Sequence, residues 1–308
     1  MAKKKKHTLL KVIGGTALVG GASYIGLGYY MFRNLFDLKN SKLYNSDDKK
    51  EIDEELEAFF EHSEKENDFI DSYDGLKLHA LRFNNYPDSH KWVILLHGFG
   101  SYSKDMVRYI HEAYEREFNV LAIDARGCGM SEGTYTGLGW NEHYDLLGWV
   151  NHLVNLDKEA EIALYGINYG GTTVLNALGE YLPDNVKVAV EDGAYSEAKS
   201  LVEHAIQRYL KVDGQFLLPA VNVYVKTLLN YSLTEISTNR QLKQSKTPTL
   251  FVHGMQDEVI PGSMVFDNYY ACNSEKELYT LDDVKCSETS YCEGYFDTVF
   301  GFIAKYIA

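Results

Sequence analysis

Apolar and polar positions alternate along most of this chain in blocks that predict short buried strands separated by helices. Short aliphatic runs bounded by polar residues are typical of buried strands, and apolar residues three or four positions apart are typical of helices. The predicted strands cover Lys91–Leu96, Asn119–Ile123, Ile162–Leu164, Val186–Val190, Thr249–Val252 and Glu277–Leu281. The predicted helices cover Lys104–Glu117, Gly139–Val154, 172–181, 263–272 and Tyr295–Tyr306. This alternation predicts an α/β fold with a mostly parallel sheet and helices on both faces.

Two stretches depart from the alternation of strands and helices. Phe69–Phe83 alternates apolar and polar residues around Asp74-Gly75, which predicts a hairpin at an antiparallel edge of the sheet. Residues 196–246 carry only helical patterns, over Ala198–Tyr209 and Phe216–Leu229. The second stretch fits a cap that lines a pocket above the carboxyl ends of the strands. It fits a purely structural helical excursion equally well, because the two patterns look alike in sequence.

The N-terminus combines a basic run with a long uncharged run. Residues 3–7 are KKKKH, and Val12–Phe32 contains 21 residues without a charge. About 20 apolar residues span a bilayer as a helix, and Tyr29 and Tyr30 would lie at the interface. The positive-inside rule then predicts a single-pass cell-membrane protein with a cytoplasmic N-terminus and with residues 34–308 outside. A cleaved signal peptide is the alternative, and the length of the run favours an uncleaved anchor.

A strongly charged segment, Ser46–Asn67, follows a linker. Ser46 and the acidic residues after it suit the start of a helix. Ile52, Leu56, Phe59 and Phe60 fall near one face at helical spacing, so the helix either docks that face on the domain or lies in solvent. The density of charge favours the solvated helix.

Charge excludes one broad class of partner. The net charge of the chain is −14, and residues 1–33 contain six basic residues and no acidic one. The remainder therefore carries 24 basic and 44 acidic residues, a net charge of −20. Nucleic-acid binding needs a basic surface, so no nucleic-acid partner is expected.

The four cysteines show no metal-binding spacing. Cys128, Cys272, Cys286 and Cys292 contain no C-x-x-C pair, and the histidines have no H-x-x-x-H or H-E-x-x-H spacing. No cofactor or metal is therefore expected. Cys286 and Cys292 are close enough for a small disulfide loop, but separate thiols are favoured.

The chemistry of the chain centres on Glu161–Thr173, EIALYGINYGGTT. A short apolar strand runs into Gly166, and Gly170 and Gly171 follow before a helical pattern begins at Thr172. Strand, sharp turn and helix with flanking glycines is the layout of a nucleophile elbow, G-x-S-x-G. Asn168 occupies the position of the serine, so the atom that would attack a substrate is missing.

Four ordered landmarks extend this observation along the chain: LLHGFG at 95–100, DARGCGMSEG at 124–133, GINYGG at 166–171 and HGMQDEVIP at 253–261. With these motifs, residues 67–307 resemble the α/β-hydrolase superfamily. More narrowly, they resemble membrane-anchored bacterial hydrolases of the esterase, lipase or serine aminopeptidase-like type. The resemblance implies an α/β-hydrolase domain at 67–308 with a cap at about 196–246. Before it lie a basic tail and anchor at 1–33 and a linker with an acidic helix at 34–66.

The resemblance also implies a set of site residues. The family mechanism uses a serine nucleophile, an acid and a histidine base, in that order along the chain. The acid corresponds to Asp257, and the histidine would fall at about Cys286, since no histidine follows His253. The oxyanion donors would be the backbone amides of Phe99 and Tyr169. The nucleophile and the base are therefore both substituted.

No substitute constellation is evident in the sequence. Ser101, Ser103 and Ser131 lie near the expected site without an obvious base. His97 and His253 each belong to an H-G motif that the family uses structurally.

The sequence therefore predicts a catalytically degenerate hydrolase that binds a small acyl or peptide-like ligand, or a protein partner, without turnover. An active esterase-like hydrolase with a non-standard constellation is the alternative. A purely structural surface protein is a third possibility.

Overall fold

The computed structural model describes residues 21, 23–37, 41 and 53–307. These residues form an eight-stranded sheet of order β1-β2-β4-β3-β5-β6-β7-β8. The strands are β1 (Glu66–Asp71), β2 (Lys77–Phe83), β3 (Lys91–Leu96), β4 (Asn119–Asp124), β5 (Glu161–Ile167), β6 (Val186–Asp192), β7 (Thr249–Gly254) and β8 (Lys276–Leu281). Strands β3 to β8 are parallel, and β1 and β2 form the antiparallel edge. The predicted sheet and its hairpin edge are confirmed.

Helices cover both faces of this sheet. They are α1 (residues 23–36), α2 (Glu54–His62), α3 (Val107–Tyr114), α4 (Asn141–Leu156), α5 (Tyr169–Ala177), α6 (Ala198–Leu210), α7 (Gly214–Leu229), α8 (Thr238–Leu242), α9 (Ser263–Ala271) and α10 (Tyr295–Ile303). Short 3-10 turns cover Ser103–Met106 and Thr289–Tyr291. The buried side chains of α3 and α10 fill one face, and those of α4, α5 and α9 fill the other.

Helix α2 corrects the favoured interpretation of the acidic segment. Phe60 is buried, and Leu56 and Phe59 pack against the same core face as α3 and α10. The helix is therefore docked on the domain, not solvated, because its aromatic stripe outweighs the charge around it. It ends at His62, and β1 begins at Glu66, so the helix is shorter than predicted. Residues 46–52 of the predicted helix lie outside the described residues.

The predicted cap divides into two parts. Helices α6 and α7 form a separate apolar cluster with α1, whose members include Ile206, Val221 and Phe32. Helix α8, although inside the predicted cap range of 196–246, contributes Leu242 to the core of the main domain. The α6–α7 pair, called the cap below, is therefore the part of this range that packs apart from the main core, and α8 is a packing helix of the body.

The N-terminal segment is described only in part. Residues 12–20 and 22 of the predicted span lie outside the described residues. Within the described part of the chain, no helix is both long and apolar enough to cross a membrane. Met31, Phe32, Leu35 and Phe36 of α1 are buried against the cap.

The cysteines follow the favoured prediction, since Cys128, Cys272, Cys286 and Cys292 are all free thiols.

Candidate active site

Asn168 lies at the sharp turn between β5 and α5. Its φ is 50° and its ψ is −117°, a conformation that costs an L-residue energy and is held by its surroundings. The glycines are needed because a Cβ on Gly166 would lie 2.2 Å from the Gly170 carbonyl oxygen, and one on Gly170 would lie 2.5 Å from the Leu96 carbonyl oxygen. Helix α5 begins at Tyr169, three residues earlier than predicted. The chain therefore keeps the backbone of a nucleophile elbow.

The residues aligned with the triad lie together above the carboxyl ends of the strands. Asn168 Nδ2 donates to Cys286 Sγ at 3.5 Å, and the thiol of Cys286 lies near enough to the carboxyl group of Asp257 to be affected by its charge. Loops after β5, β7 and β8 supply these three residues. An amide, a thiol and a carboxylate therefore lie together at the positions that the resemblance assigns to the hydroxyl, imidazole and carboxylate of a triad.

The thiol of Cys286 is unsuited to the role of a base. Burial and the nearby carboxylate of Asp257 raise its pKa far above the ordinary value of a thiol, so the neutral thiol is the form present near pH 7. A neutral thiol is a poor proton acceptor, and no positive charge lies among the causes of the shift. Cys286 therefore cannot take a proton from a nucleophile as an imidazole would.

Asp257 is held in the orientation that a triad acid requires. Its Oδ1 accepts from the backbone amides of Val259 at 2.7 Å and Ile260 at 2.9 Å. Burial raises the pKa of this carboxyl group, although both amides and the thiol of Cys286 lower it. These two hydrogen bonds stabilise the turn after β7 beside Cys286. A loop aspartate with no catalytic role would make the same two hydrogen bonds.

The two histidines of the H-G motifs hold backbone groups. His97 donates through Nδ1 to the carbonyl of Gly98 at 2.9 Å and accepts through Nε2 from the amide of Ala125 at 3.1 Å. His253 donates through Nε2 to the carbonyl of Ile260 at 3.0 Å. Both rings thus fix the loops around the site, as their motifs predict.

The side chain of Asn168 is enclosed by the loops that surround it. A Cβ on Gly98 would lie 2.6 Å from Asn168 Oδ1, and one on Gly193 would lie 3.0 Å from its Nδ2. Ser287, which the sequence analysis did not single out, donates to Asn168 Oδ1 at 3.1 Å. The amide therefore fills the space directly beneath the expected oxyanion turn and ties it to the loop after β8.

The predicted oxyanion donors, Phe99 and Tyr169, flank Asn168 in the fold. Their rings stack with a centroid distance of 5.0 Å and an interplanar angle of 23°. Phe99 follows Gly98, and Tyr169 is the first residue of α5. Their backbone amides belong to the two segments that a hydrolase uses for an oxyanion hole.

A buried acidic pair at the end of β6 was missed by sequence reasoning. Asp192 Oδ2 accepts from the hydroxyl of Tyr295 at 2.6 Å and from that of Thr289, and the Asp192 carbonyl accepts from the amide of Asn168 at 2.7 Å. Asp192 therefore ties the elbow to α10 and to the loop that carries Cys286. The available signal was an apolar strand ending in Glu191-Asp192.

Two small cavities lie in the described part of the chain, and neither is lined by Asn168. One cavity, of about 10 Å³, lies behind Tyr169 and is lined by Leu78, Ile123 and Trp149. A second of similar volume lies under the cap between Leu35, Leu201 and Val259. Among the described residues, no group of His, Cys, Asp or Glu is arranged to hold a metal ion.

The parallel sheet, the elbow and the ordered loops at the strand ends define the α/β-hydrolase fold. Residues 87–222 match the family described as serine aminopeptidase, S33.

Relatives with similar sequences are found in bacteria and yeasts. The uncharacterized protein YqkD of Bacillus subtilis is 25% identical over 238 residues, which cover 76% of this chain and 78% of YqkD. The uncharacterized membrane protein YNL320W of Saccharomyces cerevisiae is 23% identical over 75% of this chain and 77% of its own. Among solved structures, the Pyrococcus furiosus esterase Pf2001 superposes with a TM-score of 0.67 at 22% identity, covering 84% of this chain and 97% of the esterase.

Proposed function

We propose that this protein is a catalytically degenerate α/β hydrolase that binds a small acyl or peptide-like ligand, or a protein partner, without turnover. One observation carries the proposal: Asn168, Cys286 and Asp257 lie together, and the resemblance assigns them to the positions of nucleophile, base and acid. An amide does not attack a carbonyl carbon under these conditions, and a neutral thiol does not activate one. The acid alone has nothing to orient.

The surroundings of Asn168 favour a loss of hydrolytic activity over a nucleophile supplied by another residue. The hydrogen bond from Ser287 and the close approach of Gly98 hold the Asn168 amide in one position beside the expected oxyanion turn. Ser287 itself donates to an amide oxygen, which is no general base. A ligand would therefore bind beside the elbow, between the cap and the strand ends, and leave unchanged.

The test is an ester-hydrolysis assay on the purified full chain, run beside Asn168→Ala and Asp257→Asn. We expect the wild-type rate with short-chain p-nitrophenyl esters to equal that of both variants. Turnover that Asn168→Ala abolishes would overturn the proposal. Fluorophosphonate labelling of the wild-type chain would do the same.

An active esterase-like hydrolase is the second candidate, because the elbow backbone and the two oxyanion segments are retained. Its support is the retained geometry and the likeness in fold to an esterase, and it requires a nucleophile other than Asn168. Turnover that survives Asn168→Ala but falls with Ser287→Ala would favour this candidate.

We also propose that the N-terminal segment attaches the protein to a membrane. The support is the uncharged run over 12–32, the lysines before it, and a yeast relative described as a membrane protein. The sequence favours a single pass with the N-terminus in the cytoplasm and the domain outside. Flotation of the full chain with phospholipid vesicles tests the attachment, and protease protection of the domain tests the topology.

A further inference from the structure

Helices α1 and α7 pack side by side in a regular way. The Tyr24 hydroxyl donates to the Phe216 carbonyl at 2.6 Å, and a Cβ on Gly28 would lie 2.5 Å from Ala220 Cβ. One turn further on, the Phe32 and Tyr224 rings are 5.9 Å apart. Because each pair is separated by the same 192 residues, the two helices run in the same direction and in register.

The outer side of this helix pair is apolar. Phe216 is 66% exposed and Val223 is 48% exposed. The exposed large apolar residues of the two helices are Ile25, Leu27, Tyr29, Tyr30, Phe216, Val223 and Leu228. Leu228, near the end of α7, is in line with the buried Val221 and Val225, so only the first six of these residues are called the α1–α7 face below. Single exposed apolar residues are ordinary, but several on two neighbouring helices form a patch of the kind that binds a partner or a membrane.

Charge on the cap differs in sign from charge on the rest of the chain. The stretch Ala198–Leu229 holds four basic residues (Lys199, Arg208, Lys211 and Lys226) and two acidic ones (Glu203 and Asp213), a net charge of +2 in a chain of −14. Residues 214–225 carry no charge at all. Lys199 pairs with Glu203, and Arg208 pairs with Glu258. The basic residues that count here are therefore Lys211 and Lys226, which lie on either side of the uncharged stretch. An apolar stretch with a basic residue near each end suits a bilayer with anionic headgroups.

We propose that the α1–α7 face is a membrane-binding surface that rests on an anionic phospholipid bilayer. This rests on the membrane attachment proposed above. A bilayer is favoured over a protein partner because α1 continues directly from the uncharged run that begins at Val12, with lysines before it. The attachment segment therefore delivers this face to lipid, and Tyr29 and Tyr30 suit the headgroup level.

The register of the two helices also determines how the pair is oriented relative to the membrane. With an offset of 192 residues, Asp213 lies level with Gly21. In an upright pair, the bilayer would have to accommodate Asp213 and the adjacent Lys211 far below the headgroups, at a high cost in free energy. The pair therefore lies close to the membrane plane, with residues 23–32 on the surface and the charges at its ends among the headgroups. Only 11 residues of the uncharged run, 12–22, then remain, too few to span a bilayer. In this orientation the segment attaches the protein from one side of the bilayer, in place of the single pass that the sequence favours.

Tryptophan quenching tests contact with lipid. Full-length Val223→Trp and its control Tyr270→Trp, which replaces an exposed residue of α9, are incorporated into phosphatidylcholine–phosphatidylglycerol vesicles. Two of the three native tryptophans, Trp92 and Trp149, are buried. Lipids with brominated acyl chains should lower the added emission of Val223→Trp about twofold, as for a side chain at the acyl boundary, and leave that of Tyr270→Trp unchanged. Phe216→Trp should be quenched to the same degree, because the pair lies in the membrane plane.

The outcomes separate this proposal from the ones before it. If the protein floats with vesicles but Val223→Trp is quenched no more than Tyr270→Trp, the α1–α7 face does not contact lipid. The proposed membrane attachment is then unaffected. A chain that does not float overturns both. Emission of Val223→Trp that shifts with protein concentration in the absence of lipid would assign the face to a second copy of this chain and overturn the bilayer. Hydrolysis is measured in a separate assay, so none of these outcomes affects the proposal that the active site is catalytically degenerate.

Discussion

Asn168 has a φ of 50°. In the nucleophile elbow of a hydrolase, this turn carries a serine. Asparagine tolerates positive φ better than most residues, because its short polar side chain bonds locally. Here the side-chain partners are distant in the chain: Cys286 and Ser287, 118 and 119 residues away on the loop after β8. Asn168 therefore joins the elbow to the loop after β8.

Restoring both substituted positions is expected to restore reactivity. Asn168→Ser together with Cys286→His would rebuild hydroxyl, imidazole and carboxylate in the order of a triad, with Asp257 already oriented by two amides. Each single variant lacks either base or nucleophile, so only the double variant should label with a fluorophosphonate. Adding Asp257→Asn should then slow labelling, by up to about 10⁴-fold if the acid acts as in other triads. Absence of labelling in a folded double variant would show that the alignment of the site is wrong.

Crowding between Gly98 and Asn168 can be measured by a double-mutant cycle. Gly98→Ala would push a methyl group against Asn168 Oδ1, and we expect a loss of about 1–3 kcal/mol in the free energy of unfolding. The loss should shrink in an Asn168→Ala background, because the opposing amide is gone. Urea unfolding of the four proteins gives the interaction energy. Equal losses in both backgrounds would mean that the two residues are independent.

At the scale of elements, the end of β6 carries two buried carboxyl groups. Glu191 Oε2 accepts from the amide of Ala194 at 2.8 Å, and burial raises the pKa of Glu191 well above its usual value. The folded chain therefore retains a proton that the unfolded chain releases as pH rises above about 4.5. Stability from this group is present at low pH and is lost as pH rises toward the folded-state pKa, by at most about 1.4 kcal/mol per pH unit.

Glu191→Gln should remove this pH dependence, since the amide does not ionise. We expect the free energy of unfolding of the variant to gain on that of the wild type between pH 5 and pH 8. Denaturant unfolding at each pH measures the difference, and Glu293→Gln on the surface is the matched control. A difference that stays constant with pH would contradict the raised pKa.

Most strands and helices could be predicted from the local pattern of apolar and polar residues, but the contacts between them could not. The strands from Lys91 onward were predictable because buried parallel strands are continuous apolar runs with few alternative structures. The docking of α2 was not predictable, since Phe59 and Phe60 sit among many charges and only the facing core decides between the two outcomes. For the same reason, α8 could not be separated from the cap by its helical pattern.

The site was predictable in its positions and not in its contacts. Asn168 and Asp257 follow strands within short motifs, so their placement comes with the strand ends. The hydrogen bond from Ser287 and the anchoring of the loop by Asp192 join residues over 90 positions apart. Such pairings depend on the packed loop after β8, whose sequence has no regular pattern.

At the scale of the whole molecule, the N-terminal helix and the cap form one unit, and two glycines of α1 test this. A Cβ on Gly28 would lie 2.5 Å from Ala220 Cβ, whereas one on Gly26 would meet nothing within 4 Å. Gly28→Ala should therefore cost about 1–3 kcal/mol through overpacking, while Gly26→Ala should gain up to about 1 kcal/mol from helix propensity.

Hydrogen exchange localises the effect of these substitutions. Amides of α6 and α7 should exchange faster in Gly28→Ala than in the wild type, and those of β5 should not, because a Cβ on Gly28 meets Ala220 of α7. Similar exchange in both variants would mean that α1 does not support the cap.

The separation of 192 residues between α1 and its partner on α7 has a consequence for biosynthesis. A ribosome adding about 5–20 residues per second needs roughly 10–40 s to make the intervening chain. For that interval, Met31, Phe32 and Phe36 have no cap to bury them. A nascent chain with these side chains uncovered needs another apolar surface, either a chaperone or the bilayer itself. Early attachment of α1 to lipid would protect the chain during translation, and the later arrival of α7 would bring the domain down beside it.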